Sequence, residues 1–395
     1  MEGQRGWTGR YAALAALALL ASCVTAVPPP DEPPAPTPSS AALLGAELGP
    51  AITTLGIAPA DARAALASFV ESCPRLLARD DASGLTRARD WEPACRAAPA
   101  WPANEAVNFF AEHFETVVIG EGEAFATGYY EPEIAGQRTR GPGFDVPVYR
   151  LPEDLVRAWP EETPPEQREG RPPLGRYDES GKFVPYYDRT EIEEGALAGR
   201  GLEIAWAADP VELFFLQIQG SGILRAPDGS IMRIGYAGQN GRGYTASGRP
   251  MRERGLIGEG TPYPTSMQGI MQYLRDYPAE GRAIMRENKS WVFFRELTGD
   301  GPLGALGVPV RRQSSVAADP MYVPLGAPVW LDLEHDVADG LWIAQDTGGA
   351  IKGANRFDTF WGNGTDSREI AGGMSSRGRA LLFLPRGTLD RLNVR

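Results

Sequence analysis

The chain has 395 residues, enough for two domains and a substantial core. Its 51 acidic against 39 basic side chains leave a formal charge of -12 and a pI near 4.9, a balance that argues against nucleic acid as the main partner. With two histidines, His113 and His335, far apart in sequence, a serine-histidine-aspartate triad and a histidine metal site are both disfavoured, and no metal ligand set stands out.

Arg5 and Arg10 flank the start of an apolar run over residues 11–21 that is too short to span a bilayer, the pattern of a secretory signal. The run ends in Leu20-Ala21-Ser22-Cys23, which is similar to a bacterial lipobox, where cleavage precedes a cysteine that then receives lipid. An ordinary signal with an incidental cysteine is the alternative. Val24 rather than an aspartate follows, which by resemblance to lipoprotein sorting points to the outer membrane, facing the periplasm. Residues 1–22 therefore read as a signal peptide and residues 23–40 as the lipidated Cys23 with a Pro-rich, extended tether. Loss of the first 22 residues leaves a charge of about -13. Cys73 and Cys95 remain as an even pair, 22 residues apart, which in an exported chain suggests a disulfide; two buried free thiols are the alternative.

Residues 41–102 carry a mostly helical pattern in which Ala62, Leu66, Phe69 and Val70 share an amphipathic face. A helix over residues 104–114 follows. The period then changes, and Val117-Val118-Ile119 and Ala124-Phe125-Ala126-Thr127 read as strands joined by a glycine-bearing turn. The middle of the chain is rich in strands and turns, with a charged helix-like segment at residues 189–197. In DPVELFFLQIQGSGIL, the alternation of Leu216 and Ile218 with Gln217 and Gln219 predicts a strand with both amides on one face. Residues 235–248, GYAGQNGRGYTASG, follow neither the GxGxxG nor the P-loop spacing and read as a binding or connecting loop. Residues 264–287 predict one or two helices, and residues 288–295 return to strand chemistry. After the break Gly301-Pro302-Leu303-Gly304, short apolar runs at residues 308–310, 328–331, 341–344 and 381–384 predict an all-β region forming a small barrel.

Three acids stand out there: Asp319 in SVAADPMYVPLGAPVW, Asp346 in AQDTGGAIKG and Asp358 in NRFDTFWGNG. Aspartates among glycines often only shape turns. Set among aromatic rings they also suit a sugar cleft, since carboxylates move protons and flat rings stack on pyranose faces. At these residues the chain resembles the membrane-bound lytic murein transglycosylase A family, whose C-terminal region is named for three aspartates. The resemblance takes in the lipobox, Thr127-Gly128-Tyr129-Tyr130-Glu131-Pro132, residues 199–206 (GRGLEIAW), residues 214–222 (FFLQIQGSG) and residues 235–241 (GYAGQNG). It continues through residues 346–364 to Ala371-Gly372 and covers most of residues 60–386.

The resemblance implies a mainly β protein with N-terminal helices. A double-psi β-barrel catalytic domain would comprise residues 41–131 and 297–395, and an inserted, mainly β domain residues 132–296, with the glycan in the groove between them. It also implies cleavage of the β-1,4 bond between N-acetylmuramic acid and N-acetylglucosamine of peptidoglycan without water, in cell-wall remodelling and turnover. The muramic C6 hydroxyl attacks C1, leaving a 1,6-anhydro end. Carried over, Asp358 is the one acid that donates a proton to the leaving oxygen and then collects one from that hydroxyl. It must therefore be protonated at rest, its pKa raised by burial or a like charge. Asp346 would be the negative neighbour or would hold a hydrogen-bond network, and Phe357, Phe360 and Trp361 would form an apolar wall. Thr127, Tyr129, Tyr130, Gln217 and Gln219 are candidate groove contacts, with Lys352 and Arg356 as partners for lactyl or peptide carboxylates. Asp319, before a proline, ranks third of the acids as a turn former. No cofactor is called for. The implied partners are peptidoglycan strands and, through the lipid on Cys23, the membrane; cell-wall synthases or amidases stay unassigned. A hydrolase using Asp346 and Asp358 as an acid/base pair and a non-enzymatic peptidoglycan-binding lipoprotein stand as rival readings.

Overall fold

The computed structural model describes residues 40–299 and 301–392; the signal peptide, Cys23 and the tether up to residue 39 lie outside them. Helix α1 (Pro59–Leu76) opens on a proline, which costs nothing where no N–H partner is available. Its face of Ala62, Leu66 and Phe69 is buried, with Val70 partly so. The Phe69 ring lies 5.5 Å from Phe114, 5.8 Å from Phe109 and 6.3 Å from Trp91, an aromatic cluster that closes one side of the molecule. A disulfide joins Cys73 to Cys95, whose Cα atoms are 5.5 Å apart. Helix α2 (Ala106–His113) stops where Phe114 turns extended. Strands β1 (Phe114–Ile119) and β2 (Glu123–Glu131) follow. Gly120 and Gly122 between them adopt φ of 58° and 74°, which side chains resist.

The chain then leaves for a separate six-stranded sheet. Its members are β3 (Glu133–Gln137), β4 (Val146–Tyr149), β5 (Glu203–Ala207), β6 (Ser221–Arg225), β7 (Ile231–Gln239) and β8 (Val292–Glu296), in the order β8-β7-β6-β3-β5-β4. Its longer helices are α3 (Pro210–Gln219), α4 (Met267–Asp276) and α5 (Pro278–Glu287), with short helical turns at Arg189–Glu193, within the segment expected to be helical, and at Gly248–Glu253. Residues 235–239, expected in a loop, complete β7, so the loop begins at Asn240.

Helix α3 stands where a strand was expected. Asp209 accepts hydrogen bonds from the Val211 and Glu212 N–H groups at 2.7 and 3.4 Å, Pro210 occupies the first turn and Gly220 ends the helix at φ 81°. These start and stop signals outweigh the short alternation. On a helix, residues two apart point about 200° from each other, so Gln217 and Gln219 share no face.

The remaining strands close a barrel. They are β9 (Ser315–Ala318), β10 (Pro328–Leu333), β11 (Gly340–Asp346), β12 (Arg356–Asn363) and β13 (Ser375–Pro385), separated between the last two by helix α6 (Thr365–Gly373). The hydrogen-bonded circuit β13-β10-β11-β9-β12-β2 returns to β13, giving six strands without a free edge. Three expectations for this region change. Residues 308–310 form no strand, β9 and β12 were not foreseen, and α6 interrupts the all-β reading. The barrel interior is filled by Ala126, Val316, Leu331, Trp342, Phe357, Trp361 and Leu382 among others. Its outer wall, with Leu341, Ile343 and Phe383, packs on α1 and α2.

Where the chain passes from β2 to β3, an ion pair joins the barrel to the second sheet. Glu131, 1% exposed, accepts from Arg233 Nε at 2.8 Å and Nη2 at 3.3 Å. The Arg233 carbonyl accepts from the Leu297 N–H at 2.9 Å on the return crossing, so this one residue holds both passages. Burial lifts the Glu131 pKa although Arg233 and Asn363 oppose it. Arg233→Met should lower the unfolding free energy by about 3 kcal/mol in urea titrations, because it strands a buried carboxylate. Adding Glu131→Gln should restore most of that loss.

Candidate active site

Side-chain alternation on β12 sorts its residues. Phe357 and Trp361 are fully buried inside the barrel, while Arg356, Asp358 and Phe360 face outward. Asp358 pairs with Ala317 of β9 on one side and with Thr127 of β2 on the other. Ala317 pairs in turn with Asp346 of β11. A row Asp346-Ala317-Asp358-Thr127 therefore crosses four strands of the outer face, with a single methyl group between the two acids. Plain alternation would send Asp346 inward with Trp342 and Ala344. A bulge between Val316 and Ala317 takes up Gln345 as an extra residue and turns Asp346 outward.

Thr127 Oγ1 donates to Asp358 Oδ1 at 2.6 Å and accepts from Arg356 Nη2 at 2.9 Å. Asp346 is held by three donors: the Ala305 and Thr347 N–H groups reach Oδ1 at 2.9 and 2.8 Å, and the Tyr129 hydroxyl reaches Oδ2 at 3.0 Å. The Tyr129 ring lies 4.9 Å from that of Phe360, and both join Val310, Ala317 and Ile351 in an apolar floor. On this floor burial pushes the Asp358 pKa up to about 6; the Asp346 charge adds to the rise, while Thr127 and Arg356 oppose it. Burial also lifts Asp346 to about 6, against the pull of its three donors. The Tyr129 phenol is driven well above its ordinary range by burial and the two carboxylates, which keeps it a donor.

The other expected residues divide. Asp319 is buried and bonds the Met321 N–H at 3.1 Å and the Gly353 N–H at 2.9 Å, which pins the loop connecting the two acids. Lys352 on that loop is exposed. Thr127 and Tyr129 spend their hydroxyls on the acids. Trp361 cannot serve as a groove contact or wall, since it is enclosed in the barrel with its Nε1 donating to Thr359 Oγ1 at 3.0 Å. Phe357 is enclosed likewise, leaving Phe360 as the wall. Tyr130 is 5% exposed and packs in the barrel core. Gln217 is buried, its amide nitrogen donating to the Val292 carbonyl of β8 at 3.5 Å, whereas the Gln219 amide oxygen accepts from the Tyr130 N–H at 3.1 Å.

One residue escaped the sequence reading. Tyr244, in the loop after β7, has its phenol pKa raised by burial and then by Asp358. A Cβ placed on Gly349 would lie 3.8 Å from the Tyr244 Cβ, so this loop meets the Gly-Gly turn beside the acids. Its loop had been read as binding or connecting, but no periodicity marks the tyrosine itself. Among the described residues no group of three or more His, Cys, Asp or Glu side chains could hold a metal. The arrangement can deliver a proton from one poorly solvated carboxyl beside a second, firmly held one.

Residues 125–295 match the family model described as the MltA specific insert domain, and residues 314–384 match the 3D domain. The membrane-bound lytic murein transglycosylase A of Vibrio cholerae is 30% identical over 270 residues, 66% of this chain. That match spans 65% of the relative's length. The crystal structure of MltA from Neisseria gonorrhoeae superposes with a TM-score of 0.70 at 35% identity, covering 86% of this chain and 92% of that one. A membrane-bound lytic murein transglycosylase from Agrobacterium tumefaciens gives 0.76 at 29% identity, covering 88% and 99%.

The raised carboxyls carry a stability signature. Both titrate above the ordinary 3.8, so between about pH 4 and pH 6 the folded chain holds protons that the unfolded chain has released. Their stabilising contribution is full below pH 4 and is lost as pH rises through about 6. Asp358→Asn removes one such loss. Its melting temperature should match the wild type near pH 4 and exceed it near pH 7, by on the order of 2 kcal/mol in free energy.

Proposed function

The chain belongs to the membrane-bound lytic murein transglycosylase A family, and from this we propose that it cleaves the β-1,4 MurNAc-GlcNAc bond of peptidoglycan without water, forming 1,6-anhydro-MurNAc ends. The observation that carries the proposal is the outer-face row in which Asp358, with a pKa near 6, sits beside Asp346 on an apolar floor. Asp358 donates its proton to the leaving glycosidic oxygen. Its carboxylate, beside Arg356 and Thr127, then accepts the proton of the C6 hydroxyl as that oxygen attacks C1. One Asp358 oxygen bonds Thr127, and among the described residues the other has no partner, so it is the atom offered to the substrate.

Asp346 is poorly suited to activate water, the role a hydrolase would require. Both its oxygens already accept hydrogen bonds, from two backbone N–H groups and a phenol. Its three donors favour its ionised form, and its charge then favours the proton on Asp358. The glycan lies between the barrel, built from residues 41–131 and 297–395, and the inserted domain of residues 132–296. Arg356 and Lys352 stand on the substrate's anionic side and Tyr244 faces them from the insert. Cys23, through its lipid, holds the enzyme to the outer membrane facing the periplasm.

Digestion of murein sacculi with mass analysis of the products tests this reading. The expected muropeptides are anhydro species, one water lighter than hydrolysis products. Asp358→Asn should lower the rate about 1,000-fold, the scale of a lost general acid. The wild-type rate should fall as pH rises above about 6, since the carboxyl must enter the reaction protonated. Heavier, hydrated products would instead identify a hydrolase, and sacculus binding without release of muropeptides a binding protein.

A further inference from the structure

One step along the strands from the acid row lies a second row on the same outer face, Arg356-Phe125-Arg377. Arg356 of β12 pairs with Phe125 of β2, and Phe125 pairs with Arg377 of β13. Both guanidinium carbons stand over the Phe125 ring, Arg356 at 4.7 Å and Arg377 at 5.4 Å from its centroid. The ring thus acts as a shelf that holds two cations side by side, although their charges repel. Arg356 is anchored there by donating to Thr127 and to the Phe125 and Phe357 carbonyls. Arg377 is exposed, and among the described residues its guanidinium makes no hydrogen bond or ion pair. In a chain with 51 acidic side chains, two adjoining arginines with no salt bridge among the described residues are unusual; of the two, Arg356 feels the Asp358 charge while Arg377 points its guanidinium at no acid.

We propose that the Arg356-Phe125-Arg377 shelf binds a carboxylate carried on the muramyl residue whose glycosidic bond lies at Asp358. The inference rests on the peptidoglycan reading above and deepens it by assigning Arg377 and Phe125 to a substrate subsite. The geometry suits such a ligand. Two residues along a strand separate the rows, about 6.6–6.8 Å, and the muramyl carboxylate hangs from C3, across the sugar ring from the C1 bond being broken. A planar guanidinium matches a carboxylate through paired N–H donors, which favours arginine over a point charge. A local cationic shelf also offsets the repulsion between an anionic polymer and a protein of net charge -12. The carboxylate has two sources that exclude each other. Where a stem peptide is attached, the lactyl carboxyl is consumed in an amide and the anion belongs to the peptide; on a stripped strand, the lactyl group itself is the anion.

Binding distinguishes these sources without relying on cleavage. Fluorescently labelled strands of three kinds are titrated against the full-length Asp358→Asn protein, which leaves them intact: peptide-bearing, amidase-stripped, and stripped with the lactyl carboxyl capped as an amide. Adding Arg377→Gln should weaken binding about tenfold, the scale of one charge-assisted hydrogen bond on an open face, on strands that carry the recognised carboxylate and not on the capped strand. Arg377→Lys should recover part of the loss. A loss limited to peptide-bearing strands assigns the stem peptide, and one limited to stripped strands assigns the lactyl group. Equal change on all three strands, or none on any, overturns the shelf. Anhydro products are measured separately in the Asp358 enzyme, so failure of the catalytic reading registers there and not in these affinities.

Discussion

One extra residue in a strand decides where an acid points, and the site depends on it. Without Gln345 as the additional residue opposite β9, Asp346 would follow Trp342 and Ala344 into the barrel interior. An unpaired carboxylate there would cost several kcal/mol or lose its charge. The bulge is not held by β11 alone. The Gln345 amide donates to the Ser68 carbonyl at 3.0 Å and to Ser72 Oγ at 2.9 Å, both on α1, and accepts from Ser315 on β9. Helix α1 thereby reaches the chemistry without touching it: its polar stripe locks the bulge that presents Asp346, while its apolar stripe covers the barrel wall.

Once both acids lie on one face, desolvation separates their duties through their neighbours. Burial is the largest influence on each, but Asp346 has three hydrogen-bond donors that favour its ionised form, whereas Asp358 has one hydroxyl and a half-buried guanidinium shared with that hydroxyl. These donors favour the ionised form of Asp346, and any charge it carries adds to the rise at Asp358. A rise from 3.8 to about 6 corresponds to about 3 kcal/mol of differential interaction. That energy depends on keeping water scarce, which couples the acids to Tyr244 and so to the insert that carries it. The insert in turn is fixed to the barrel by the buried Glu131-Arg233 pair.

Much of the fold was legible where one period dominates. Ala62, Leu66 and Phe69 announced α1, and the apolar runs near residues 328, 341 and 381 announced barrel strands because those strands are buried on both faces. Helix α3 misled because four alternating residues at its end imitated a strand, while Asp209 and Gly220, which set its limits, lay outside that window. The acids, Thr127 and Tyr129 were found through motifs that resemble a family, not through periodicity. Reading β12 as a strand would have separated Asp358 from Phe357 and Trp361 at once, since neighbours on a strand face opposite ways. The bulge at Gln345 and the approach of Tyr244 to Gly349 had no local signal, because each is made by contacts between segments distant in the chain.

The central claim is that Asp358 keeps its proton well above the ordinary carboxylate range, to about pH 6, chiefly through burial and partly through the Asp346 charge across Ala317. A carbon-13 NMR titration of the Asp358 carboxyl, in the wild type and in Asp346→Asn, measures this directly. The account predicts a midpoint near 6 in the wild type, moving down when the neighbouring charge is removed. A wild-type midpoint near the ordinary 3.8, unmoved by Asp346→Asn, would contradict it.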